Sequence, residues 1–85
     1  MNKNFIMECF DIIDKIKLNS IVAIEKEDTE MRYKLIYNEY EWYELLCLDE
    51  ENAIWDDGDT IKDIKEHLLC SAIRCSYQKI RLVKE

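Results

Sequence analysis

Met31-Arg32-Tyr33-Lys34-Leu35-Ile36-Tyr37 and Trp42-Tyr43-Glu44-Leu45-Leu46-Cys47-Leu48 are the two runs on which the fold turns. In the first, Met31, Tyr33, Leu35 and Tyr37 alternate with Arg32, Lys34 and Ile36, so a strand would gather the aromatic and apolar groups on one face. That face is expected to meet helices. In the second, Trp42, Glu44, Leu46 and Leu48 alternate with Tyr43, Leu45 and Cys47, leaving apolar groups on both sides. Tyr43, Leu46 and Cys47 also form a short helical stripe, and Glu and Leu are good helix formers. The aromatic content and the two-residue period of the preceding run favour a strand. Asn38-Glu39-Tyr40-Glu41 supplies a turn between the two.

Outward from this pair, Ile21-Val22-Ala23-Ile24 reads as a β-branched strand reaching to Lys26, with Glu27-Asp28-Thr29-Glu30 at hairpin spacing. Before it, Phe5, Ile6, Cys9, Phe10, Ile13 and Ile16 recur in three- and four-residue steps, which predicts a helix over 5–17 with Asn4 as its cap. After the central runs, Asp49-Glu50-Glu51-Asn52 is a turn and Ala53-Ile54-Trp55 a short edge strand that Asp56-Asp57-Gly58-Asp59 ends. Thr60 and Asp63 have the spacing of a capping box, with Asp in place of the usual Glu or Gln. A second helix should therefore begin there, bury Ile61, Ile64, Leu68, Leu69, Ala72 and Ile73, and end near Arg74. The stretch from Ser76 to Val83 reverts to Ile80/Leu82 alternation and predicts a terminal strand. The fold class expected is α+β: a small single-layer antiparallel sheet of four or five strands, covered on one face by two helices, in the order α-β-β-β-(β)-α-β. Residues 1–85 make one domain.

A chain of 85 residues buries only about 60–65% of its unfolded surface, so its core is small. Hydrophobic residues are 48% of it, well above the profile of a disordered chain. Proline is absent and Gly58 is the sole glycine, which leaves the turns to Asn, Asp and Glu. No apolar stretch is long enough to span a bilayer, and Glu8 interrupts any signal-peptide core after Phe5-Ile6-Met7, so a cytoplasmic location is expected. Cys9, Cys47, Cys70 and Cys75 lie in apolar patterns; reduced thiols acting as small hydrophobes are the first reading, with one disulfide or metal or redox use as alternatives.

The net charge of −7 is unevenly spread. Residues 25–66 carry fifteen acids against five bases, whereas 67–85 carry four bases against one acid. Such a field opposes direct binding to nucleic acid or to an anionic membrane and favours a basic protein partner.

Catalytic signatures are absent from the sequence. His67 and Cys70 share a helical face and Cys75 follows, but the spacings are not those of a zinc site, and a Cys–His nucleophile would need an orienting group. Asp56-Asp57-Gly58-Asp59 lacks the ligand periodicity of a calcium loop, and no glycine-rich loop exists to hold phosphate. The expectation is a protein without enzymatic activity, cofactor or metal. Arg74, Lys79, Arg81 and Lys84, beside Tyr77, are expected to serve as counter-charges for the chain's own acids or a neighbouring subunit.

Glu39, Glu41, Glu44, Asp49, Glu50, Glu51, Asp56, Asp57 and Asp59 contribute nine negative charges with no Lys or Arg between them. With Trp55 they form the expected partner-binding set: acids steer a basic partner and an aromatic anchors it. Trp42 is expected to pack inside and Trp55 to reach the partner. In size, acidity and its Asn/Lys/Ile/Glu-rich vocabulary the chain resembles small phage- or mobile-element-encoded inhibitors of host defence, a group that includes anti-CRISPR proteins. That resemblance implies one tight target, often a nucleic-acid enzyme, which an acidic surface could occupy as a DNA mimic. It transfers no functional residue. Homodimerisation through an exposed edge and the terminal strand, in a structural or regulatory subunit, is the alternative.

Overall fold

The computed structural model describes residues 3–26, 28–74 and 79–84. Its order is α1 (Lys3–Lys15), β1 (Ile21–Lys26), β2 (Thr29–Tyr37), β3 (Tyr43–Cys47), β4 (Ile54–Gly58), α2 (Ile61–Arg74) and β5 (Lys79–Lys84). All strand pairings are antiparallel, in the spatial order β4-β3-β2-β1-β5. β1 to β4 form a meander; α2 then carries the chain back across the sheet so that β5 can pair with β1. Both helices cover one face, as the alternation of β1, β2 and β3 requires. Expectations concerning Glu27, Cys75 and residues 76–78 lie outside the described residues, as do the side chains of Phe5 and Ile6.

The core joins Val22, Ile24, Leu35, Leu45 and Ile80 from the sheet to Cys9, Ile13 and Ile16 of the first helical segment and Ile64, Leu68 and Ala72 of α2. Each sheet residue in it falls on one parity of its strand, and the register stacks them: Leu35 pairs with Leu45, and Ile24 with Ile80. The segment expected to be either strand or helix is thus a strand. Phe10 and Ile73, which periodicity placed in the helical stripes, stand exposed. The buried faces centre on Cys9–Ile13–Ile16 and Ile64–Leu68–Ala72, which leaves both residues on the flanks.

Helix boundaries follow from local hydrogen bonds. Thr60 Oγ1 accepts from Asp63 N and Asp63 Oδ2 accepts from Thr60 N, both at 3.1 Å, so the box closes reciprocally with Asp in the Glu position. Gly58 makes room for that first turn; a Cβ there would come 2.9 Å from Asp63 Cβ. At the other helix, Asn4 is not the cap, because α1 already begins at Lys3. α1 also ends earlier than expected: Ile16 N donates to Ile13 O, and Ser20, fully buried, accepts from Lys17 N.

A glycine-poor chain still has to reverse direction. One non-glycine residue in each of the four connections up to β4 takes positive φ: Asn19 (73°), Asp28 (65°), Glu41 (67°) and Asn52 (60°). Asn and Asp tolerate this left-handed conformation because their short side chains bond locally, while for Glu41 it is a local strain.

Candidate functional site

The expected acidic set divides over three places. Glu39 and Glu41 occupy the turn between β2 and β3, Asp49, Glu50 and Glu51 the turn between β3 and β4, and Glu44, Asp56 and Asp57 lie within the two strands, with Asp59 just before α2. Asp56 and Asp57 were expected in a turn, but β4 runs on through them to Gly58. Of the nine acids, Asp49 and Asp56 alone have ion-pair partners among the described residues.

Those two are structural. Asp49 accepts from Arg32 N at 2.7 Å and from the guanidinium Nη2 at 2.8 Å, which ties the β3–β4 turn to β2 and holds the Asp49 carboxyl below the usual carboxylate range. Asp56 faces α2 and bonds His67 Nδ1, and the hydrogen bond and the negative charge together raise the His67 pKa. His67 is a surface residue, and its carboxylate partner comes from a strand eleven positions earlier. A shallow groove beside it is lined by His67, Cys70, Ser71 and Arg74. Cys9 and Cys47 are buried free thiols that pack as small hydrophobes, and Cys70 is an exposed free thiol.

The tryptophans exchange roles. Leu45 pairs with Asp56 and Leu46 with Ile54, so Trp55 is an extra residue in a bulge, and its indole packs half-buried against the core. Trp42, by contrast, is 36% exposed and stacks on Tyr40, with ring centroids 5.2 Å apart and planes at 21°. The expected burial is therefore reversed: Trp55 packs against the core and Trp42 is the exposed indole. A bulge inserts one residue and so inverts which neighbours share a face, a change that strict alternation does not disclose.

Asn38 builds the turn that presents this stack. Its Oδ1 accepts from Tyr40 N at 2.9 Å and Trp42 N at 3.3 Å, and its backbone N donates to Trp42 O at 2.9 Å. Such Asx bonding replaces what glycine would supply. Beneath it, Tyr37 and Tyr43 pair across the strands with centroids 4.9 Å apart, edge to face.

The result is a groove of about 290 Å³ on the sheet face that the helices leave bare. Tyr40, Trp42, Leu46 and Ile54 line it with the exposed Glu39 and with Glu44, which is only 9% exposed. Glu44 has no hydrogen-bond or ion-pair partner among the described residues. An aromatic stack beside an unpaired carboxylate suits a cationic side chain.

No protein-family model matches the chain, no curated protein matches it, and no solved structure matches it. Among the described residues, no helix is long and apolar enough to cross a membrane, and no three His, Cys, Asp or Glu side chains gather as a metal site.

Proposed function

We propose that this chain is a non-enzymatic acidic binding protein that engages and blocks a basic protein surface, such as the nucleic-acid site of a target protein. The observation that carries the reading is the set of seven acids between Glu39 and Asp59 that have no basic partner within the described chain, beside the exposed Tyr40–Trp42 stack. Unpaired acids steer a basic partner, and an exposed aromatic pair anchors it. The free thiols at Cys9, Cys47 and Cys70 fit a reducing compartment, and the cytoplasm is the location we propose.

Affinity capture from cell extract at low salt, with the captured protein then purified, tests the reading. A basic partner is expected, its complex weakening as salt rises and on combined Glu39→Lys and Asp57→Lys reversal with circular dichroism unchanged. A complex indifferent to both overturns it.

A second reading, a structural or regulatory homodimer, is favoured by one observation: β5 is an edge strand with Val83 exposed. Unpaired edges recruit a further strand. Concentration-dependent mass in sedimentation, lost on Val83→Lys, would support it, and a monomer at all concentrations would exclude it.

A further inference from the structure

The register of the sheet contains two pairs of like charges in opposite positions. Glu25 faces Glu30 between β1 and β2, and Glu44 faces Asp57 between β3 and β4. Opposed acids lie about 5 Å apart at Cβ and repel. The first pair is compensated: Lys79 stands opposite Glu25 on β5, and Arg81 Nη2 reaches Glu30 Oε1 at 2.8 Å. The second makes no ion pair among the described residues, the register placing Lys34 opposite Leu46 one step along the same face; Glu44 is nine-tenths buried and lies in the groove beside Trp42. Two acids held opposite one another without a bound cation repel, and a cation placed between them would relieve that repulsion.

From this contrast we propose that the groove is a socket for one arginine side chain of a partner protein, its guanidinium bound to Glu44, flanked by Asp57 and stacked on Trp42. The inference rests on the binding function proposed above and adds which residue of the partner is read and where. Three features select arginine. Its planar fork can serve a carboxylate while one face lies on an indole, its charge offsets both acids at once, and its methylene stem suits the apolar walls formed by Leu46 and Ile54.

The test uses the whole chain and two capped pentapeptides, Gly-Gly-Arg-Gly-Gly and the same peptide with citrulline, which keeps the shape and removes the charge. Titration followed by NMR should move the Trp42 indole N–H and the backbone amides of Glu44 and Asp57 with the arginine peptide only. Glu44→Gln should weaken that binding roughly ten-fold, the scale of a lost hydrogen bond to a charged group, and Trp42→Ala roughly three-fold. Equal shifts from both peptides, shifts confined to the turn at Glu50 and Glu51, or none at millimolar peptide would overturn the socket. A salt-sensitive protein complex unaffected by Glu44→Gln would also overturn it while leaving the broader binding function standing; loss of any salt-sensitive partner would remove that function instead.

Discussion

Glu44 and Asp57 face one another across β3 and β4, two acids in register on the bare side of the sheet. Their repulsion is a stability cost that a binding role would explain. Glu44→Gln and Asp57→Asn are each expected to stabilise the free protein by about 0.2–1 kcal/mol, read as a higher urea midpoint at unchanged slope. A stabilising change that also weakens the partner complex is the signature of a residue kept for function.

The two tryptophans should separate cleanly in stability. Trp55→Ala removes an indole packed on the core and is expected to cost about 3 kcal/mol. Trp42→Ala unpicks only a stack in a turn, costing less than about 1 kcal/mol. Urea melts of the two variants check this.

Acid and alkali should act on different links. The raised His67 value means that its bond to Asp56 contributes stability fully below the ordinary value of 6.5, and loses it as pH rises through the folded value. Asp49, held down by Arg32, contributes above the ordinary carboxylate range and loses that as pH falls through its own depressed value. His67→Gln should therefore lower the urea midpoint near about pH 5 and leave it nearly unchanged near about pH 9. Both links are exposed, so added salt should shrink the differences.

The start of α2 depends on a reciprocal pair. Thr60→Ala is expected to cost about 1 kcal/mol, and Asp63→Glu to keep most of the stability, since Glu is the usual partner in this box. Gly58→Ala should cost about 1–3 kcal/mol by crowding Asp63. Thermal melts rank the three.

Relief of strain gives the opposite sign. Glu41 has φ of 67° without a side chain suited to it, so Glu41→Gly is expected to stabilise by about 1 kcal/mol. Asn52→Gly, at an Asn that tolerates φ of 60°, should change the urea midpoint much less.

What could be read from the residues was what local periodicity controls. The alternation of Tyr33 and Leu35 disclosed the buried side of β2, the second run was read as its strand partner with apolar groups on both faces, and Thr60 with Asp63 marked the start of α2. Arg81 was foreseen as a counter-charge, and it pairs with Glu30. Four features escaped because they depend on register between separate segments. Trp55 gave no local sign of the bulge that turns it inward, the Asp56–His67 bond joins a strand to a helix, and Glu44 looks like any surface acid until its strand is placed between Ile36 and Asp57. The Arg32–Asp49 pair belongs with them: only β2–β3 pairing brings those residues together.

The meander has a bearing on how the chain reaches its native state. Each strand from β1 to β4 finds its neighbour in the very next segment, so hairpins can close over short loops at small entropic cost. β5 must wait for α2 to span the sheet before it meets β1, which makes that pairing the long-range closure of the search. With no proline anywhere in the chain, no prolyl isomerisation can delay either stage. Delivery of the last strand, the event that also brings Arg81 to Glu30, is therefore the step expected to limit refolding.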